Sequence, residues 1–275
     1  MIVNPGCTVE SSALAVEMAQ RHDKMYAAVG IHPENCGDFV PAHIDALREL
    51  AKHEKVVAIG EIGLDYYWAE NPPKEFQQEV FRAQLQLALE QDLPVIIHDR
   101  EAHGDSLAIV KEFPNLRGVF HCYSGSVEMA RELIKMGWYL GFDGPLTYKN
   151  ARKTVEVAEA IPLERIVVET DSPYLSPVPM RGKRNDSRNI PYILGKLAEL
   201  RGNGKVDMII NSPAGKDSAN DDSYLRKAAI KAKVPYMTTV AAAKATADGI
   251  HYLKKHGGSE VKSLQELHSE IHDKE

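Results

Sequence analysis

Up to Arg201 the hydrophobic positions fall into short runs, separated by segments with helical spacing. The runs are "IVNPG", "MYAAVGIHP", "VVAIGEIG", "PVIIHD", "GVFHCYSG", "WYLGFDG" and "RIVVETD". They are rich in Val and Ile, and most are apolar on both sides of the pleat. That pattern predicts parallel strands covered on both faces. Between them the spacing predicts helices over Glu10–Arg21, Ala42–His53, Lys74–Gln91, Val127–Met136 and Lys153–Ala160. The clearest is Lys74–Gln91, which follows "NPP" and repeats Phe76, Val80, Ala83 and Leu87 at helical intervals.

Strands alternating with helices predict repeated βα units, as a βα barrel or a doubly wound sheet. The polar residues separate the two. His32, Glu61, His98, His121, Asp143 and Asp171 each stand at or just past the C-terminal end of a predicted strand. Polar groups from several strand ends converge on one face of a (β/α)8 barrel, whereas a doubly wound sheet gathers its chemistry at one switch point. No GxGxxG or GxxxxGK[ST] follows any of the strands. The expected fold class is α/β, a TIM-type barrel.

After Arg201 the texture changes: "GNGK" breaks the pattern, and a new strand-like run, "VDMIINSPAG", opens a more polar segment. A boundary is predicted near Gly202–Lys205, giving a domain over 1–202 and a second segment over 203–275.

Charge and composition narrow the function. The net charge is −6, so a broad basic surface for nucleic acid is excluded and any such contact is local. Cys7, Cys36 and Cys122 are scattered, without CxxC spacing, which argues against a disulfide framework and for a cytoplasmic location. The N-terminal stretch has no basic segment followed by a long apolar run, so no signal peptide is expected. No apolar run approaches the roughly 20 residues of a membrane span, and no protein partner is legible.

Two imidazoles and two carboxylates at strand ends are a ligand set for divalent metal, since imidazole binds through one nitrogen and a carboxylate can bridge. A single strand-end His or Glu is more often a packing or capping residue; four on four strands are harder to explain that way. Tyr66, Tyr67 and Trp68 either stack on bases of a single strand or pack the barrel rim. Cys122 reads as a small buried filler, with no base legible beside it.

The motifs "AAVGIHPE", "AIGEIGLDYYW", "PVIIHDREA", "GVFHCYSGS", "GWYLGFDGPLTYKN" and "IVVETDSPYLSPVPMRGKRN" resemble the TatD family of metal-dependent hydrolases, from Ile2 to about Gly202. The resemblance implies a TIM-type barrel with phosphodiesterase or deoxyribonuclease activity. It also implies one or two divalent ions, Mg²⁺ first and Mn²⁺ or Zn²⁺ next. It makes Glu61 the bridging ligand and gives His98 and His121 to one metal, with Asp171 serving the other metal or positioning water. Glu61 and Asp171 are then the catalytic pair, and the substrate is DNA or another phosphodiester. "PVPMRGKRN" resembles the family's substrate loop, with Arg181, Lys183 and Arg184 meeting phosphates. His32 either faces the site or is a turn residue before Pro33.

The family's His-x-His, carried on its first barrel strand, does not occur in these 275 residues. The expectation is a barrel without that strand, with two unpaired edges and weak or lost activity. "VDMIINS" is expected to fill the gap by pairing with the Met1–Pro5 strand. The segment after Gly202 also resembles the second half of a methylglyoxal-synthase-like domain, a partial Rossmann-like α/β unit. In that family the domain binds phosphorylated effectors. Asn211, Ser212, Ser218 and Thr239 lie in stretches matching its ligand-facing loops. A non-catalytic regulatory fragment is therefore the alternative to a hydrolase.

Overall fold

A computed structural model describes residues 2–201, with the backbone of 209–210 and 236–237. The chain divides into two units, Met1–Gly202 and Asn203–Glu275. In the first, seven strands form one parallel sheet: β1 (Ile2–Pro5), β2 (Met25–Val29), β3 (Val56–Asp65), β4 (Val95–Arg100), β5 (Gly118–Phe120), β6 (Tyr139–Phe142) and β7 (Ile166–Val168). Their spatial order is their sequence order, β1 to β7. A doubly wound sheet reverses direction at a switch point, and this one never does. The sheet is TIM-barrel-like, and all seven predicted strands are present.

The helices are α1 (Val9–Arg21), α2 (Pro41–Ala51), α3 (Lys74–Gln91), α4 (His103–Lys111), α5 (Val127–Lys135), α6 (Arg152–Ala160) and α7 (Ile190–Leu200). Sequence periodicity does not find α4 or α7. The first holds Gly104, Asp105 and Ser106, weak helix formers, in its opening turn, and the second carries Pro191 and Gly195.

The inner core is made by Ile59, Ile62, Leu64, Ile97 and Phe142, with Phe120 edge-on to Trp138 at 5.4 Å. Helix α3 has a face the apolar pattern does not show. Its buried positions include Gln77 and Gln84, seven residues apart on one stripe, while Phe76 and Ala83 are only half-buried. Two amides inside a core must be satisfied, and both bind backbone at strand ends. Gln84 accepts from Ile31 N at 2.7 Å and donates to Ile31 O at 3.0 Å. Gln77 accepts from Asp65 N at 2.9 Å and donates to Asp65 O at 3.0 Å. One helix thus fixes the segments that present His32 and Asp65.

At the edges, β1 pairs only with β2 and β7 only with β6 among the described residues, and Ile2 and Val3 are exposed. Of the run "VDMIINS", expected to pair with Met1–Pro5, only Ile209–Ile210 is described, and the pairing seen for these two residues is with another partner. β8 (Ile209–Ile210) pairs in parallel with β9 (Tyr236–Met237), in a two-stranded sheet of their own. The apolar run finds its partner inside its own segment, where the loop to be closed is shorter. Asn211, Ser212, Ser218 and Thr239 lie outside the described residues, as do the other predicted elements of the tail.

Candidate metal centre

Side chains alternate along a strand, so residues two apart share a face. In β3, Glu61, Gly63 and Asp65 share one; in β4, His98 and Arg100 do. The β3–β4 register sets Gly63 opposite His98 and Asp65 opposite Arg100. A side chain at position 63 would strike the carbonyl of His98, so glycine there lets the two strands close up. His98 then reaches both carboxylates: Nδ1 is 3.0 Å from Glu61 Oε1 and Nε2 is 3.0 Å from Asp65 Oδ2.

Glu61 Oε1 is the hub. His32 Nε2 lies at 3.6 Å and His121 Nε2 at 3.9 Å from that same atom, and the rings of His32 and His98 meet edge to face at 4.3 Å. His121 follows β5 and turns its other nitrogen, Nδ1, to Glu169 Oε2 at 2.9 Å. Its Nε2 is 3.7 Å from Asp171 Oδ1. Glu169 also accepts from the backbone N of Cys122 at 2.5 Å. A metal-binding imidazole needs its second nitrogen held, and Asp65 and Glu169 hold one ring each.

A second group forms beside the first. Ligand atoms of Cys122, Asp143 and Asp171 lie within 4.8 Å of one another, as do those of His32, Glu61 and His98. Cys122 Sγ is 3.5 Å from Asp143 Oδ1, while Asp143 Oδ2 is buried without a partner. Cys122 is therefore part of the cavity wall rather than a filler. Cys122 (φ 43°), Asp171 (φ 50°) and Glu101 (φ 55°) sit in the left-handed region directly after β5, near the end of β7 and after β4. Backbone strain of this kind collects where a site over-determines the chain.

Electrostatics follow from the geometry. Burial works against ionising Glu61, but hydrogen bonds from His32 and His98 prevail and hold its pKa well below the usual carboxylate range. Burial likewise opposes charge on His98, yet its bonds to Asp65 and Glu61 raise the pKa to about 9. His121 is also raised, Glu169 outweighing burial. Asp143 has no bonded cation, so burial and then the charge of Glu169 push it up to about 7.

A cavity of about 700 Å³ is lined by Glu61, His98, His121, Asp143 and Asp171, with His32, Trp68, Arg100 and Tyr174 around them; Asp65 and Glu169 stand behind the rings, outside its lining. Of the sequence-predicted site residues, the structure brings together Glu61, His98, His121, Asp171 and His32. Arg181, Lys183 and Arg184 are exposed and do not line the cavity; the Arg181 guanidinium lies over the Tyr148 ring at 3.8 Å. Buried Asn185, at the end of that basic stretch, donates to Thr170 O at 2.5 Å and Tyr174 O at 2.7 Å, and so fixes the turn that presents Asp171. Sequence reasoning missed Asp65 and Glu169. Asp65 stands on the face of Glu61, four residues on in β3, where period-two spacing finds it; Glu169 follows β7, two residues before Asp171, beyond the reach of a strand period.

Gly141 makes room for this arrangement. A Cβ there would sit 2.6 Å from the carboxyl carbon of Glu169, the movable end of a side chain. Gly141→Ala is expected to keep the fold, with a lowered melting temperature, while pushing Glu169 off His121. Divalent-metal affinity should fall on the order of 10–100-fold, read by calorimetric titration. An unchanged affinity would show that Glu169 does not orient the ring.

A seven-stranded barrel-like sheet with imidazoles and carboxylates gathered at one end defines a metal-dependent hydrolase. The family model "TatD related DNase" matches residues 1–212, and the chain belongs to that family. An uncharacterized metal-dependent hydrolase, YabD, of Bacillus subtilis is 48% identical over 189 residues, covering 68% of this chain and 74% of its own. The 3'-5' ssDNA/RNA exonuclease TatD of Salmonella typhimurium is 34% identical over 206 residues, covering 72% and 78%. Among solved structures, the TatD homologue YJJV of Escherichia coli K12 superposes with a TM-score of 0.68 at 32% identity, covering 72% and 78%.

Proposed function

We propose that this protein hydrolyses phosphodiester bonds in nucleic acid, with DNA ends as its substrate. The observation that carries this is the paired orientation of His98 and His121: Glu61 stands between them, and each is backed by its own carboxylate. The similarity to a relative named as a single-strand exonuclease supports nucleic acid as the substrate.

The donor set fits a divalent ion. With an ion bound, His98 would keep Nε2–H on Asp65 and give up the Nδ1 proton it shares with Glu61 in the metal-free protein, so that Nδ1 becomes a donor. The orphaned Asp143 Oδ2 is a carboxyl oxygen that a cation would draw into its ionised form. Glu61, His98 and His121 would hold one ion, with His32 beside them; Asp171 and Asp143 face a second position. Imidazole-rich donors suit Zn²⁺ or Mn²⁺ better than Mg²⁺, which prefers oxygen. A bound divalent ion supplies a water of lowered pKa and offsets charge on the phosphoryl group. The protein's own residues do the rest. Asp65 and Glu169 hold the rings, Asp171 accepts a proton at its carboxylate, and the walls of the cavity exclude bulk water.

Because no His-x-His occurs in these 275 residues, we propose weaker turnover than that of a family member carrying one. The test is elemental analysis together with release of nucleotides from a 3′-labelled single-stranded oligonucleotide. About one equivalent of divalent ion and slow, chelator-sensitive release are expected. A metal-free, folded protein that releases nothing would remove the catalytic reading. Turnover equal to such a relative would remove the impairment.

A further inference from the structure

We propose that Arg100, Tyr67 and Trp68 form a nucleotide subsite beside the metal centre, taking the phosphate and base next to the scissile bond of a single strand. This deepens the hydrolase reading and rests on it.

The three neighbouring aromatic residues have separate fates. Tyr66 is consumed by structure: its hydroxyl donates to Asp105 Oδ2 at 2.9 Å and accepts from Gln78 Nε2 at 2.9 Å, with Lys74 over its ring. Tyr67 and Trp68 are not. They remain 52% and 44% exposed, although they contact each other edge to face at 4.7 Å. Residues that only packed the rim would be covered. The Tyr67 backbone N donates to Asp65 Oδ1 at 2.9 Å, so the pair hangs from the same carboxylate that orients His98.

Arg100 completes the group. It ends β4 on the face of His98, two residues on, or roughly 6.6 Å along the strand. That is the order of one backbone step in an extended polynucleotide. Its guanidinium stacks 3.9 Å from the Tyr67 ring centre and 5.4 Å from that of Trp68. Among the described residues the Arg100 side chain makes no hydrogen bond or ion pair, and the residue lines the metal-centre cavity together with Trp68. A guanidinium held by its face keeps its N–H edge free, and that edge matches phosphate oxygens in a bidentate pair. An exposed indole beside it offers a stacking platform to any base. A phosphate bound at the metal centre therefore has a place for its neighbour one step away. The acidic balance of the chain fits a contact of this kind: one local cation in place of a basic surface.

The test uses the full chain and a fluorescein-labelled phosphorothioate oligodeoxythymidine, which resists hydrolysis. Binding is followed by anisotropy across a salt series and by tryptophan emission. Trp138 is buried, so quenching reports Trp68. Arg100→Ala should weaken binding about tenfold and reduce the salt slope by about 0.7, the value for one phosphate contact on a single strand. Trp68→Ala should weaken binding about tenfold and abolish the quenching. Arg100→Lys, keeping charge without the fork, should keep the slope and lose part of the affinity. Wild-type binding that both alanine variants reproduce, slope included, would overturn the subsite and leave the hydrolase reading intact. Wild-type protein is also assayed on bis(p-nitrophenyl) phosphate. Hydrolysis of that compound without any oligonucleotide binding would overturn the subsite and the nucleic-acid substrate together. Absence of both would overturn the hydrolase reading itself.

Discussion

His98→Ala is expected to lose divalent metal, and with it hydrolysis, by two orders of magnitude or more. Among the described residues, His98 is the one imidazole that contacts Glu61 and Asp65 together, at 3.0 Å each. Its removal takes away a donor nitrogen and the group that spaces the two carboxylates. Asp65 is fully buried and Glu61 nearly so, and leaving a buried charge without its partner costs on the order of 3–5 kcal/mol. The variant should therefore melt earlier as well. Asp65→Asn separates the two effects. It keeps the ring and removes only the orienting charge, so affinity should fall on the order of 10–100-fold. Metal content, affinity by calorimetric titration and circular dichroism decide between these results. A folded His98→Ala chain that retained its metal would show that the centre lies elsewhere.

The metal-free protein should lose stability as the solution is made alkaline, and Asp143→Asn should remove much of that loss. Asp143 is raised from 3.8 to about 7, by burial first and the charge of Glu169 second. A carboxyl raised on folding favours the fold while protonated. Its contribution is complete below about pH 4 and is lost as pH rises through about 7, a difference of roughly 4 kcal/mol for a shift of this size. His98, raised to about 9, acts in the same direction at higher pH: its contribution is whole below 6.5 and lost through about 9. His121 has the same sign. Glu61 has the opposite one. Its lowered pKa contributes above 4.5 and fails in acid. Urea midpoints measured in chelator from about pH 5 to about pH 9 should fall continuously. The Asp143→Asn chain should hold its midpoint through the lower half of that range. Loaded with metal, the protein should behave the other way, because ligands must shed protons to bind and affinity then grows with pH. A flat metal-free profile would mean that Asp143 is solvated or already paired with a cation.

The apolar pattern located every strand of the described sheet, because a parallel strand covered on both faces is a dense apolar run with nothing periodic to misread. It located α3 to the residue, where Pro73 starts the helix and its length averages out local noise. It failed at α4, which holds the weak helix formers Gly104, Asp105 and Ser106 in its opening turn, and at α7, which carries Pro191 and Gly195. It also misjudged the buried face of α3, because Gln77 and Gln84 count as polar until their backbone partners in Ile31 and Asp65 are known.

The site divides in the same way. That Glu61, His98, His121 and Asp171 belong together was readable, since each interrupts or follows an apolar run toward its C-terminal side and all parallel strands of such a sheet end on one side, although β3 and β4 run on past Glu61 and His98 to Asp65 and Arg100. Lys183 and Arg184 show the limit of that reading. Their charge suggested phosphate, yet their exposed positions lie off the cavity lining.

By itself, then, the sequence determined the order of strands and helices, the side of the sheet that carries the chemistry, and the residue types able to hold a metal. These are one-dimensional properties, set by periodicity and by position within a strand. Only the tertiary structure decided which carboxylate orients which ring, that Asp143 keeps an unpaired oxygen in the interior, and that Arg100 lies over Tyr67 and Trp68. Each of these depends on the register between neighbouring strands. A shift of one residue would turn the same side chains to the opposite face.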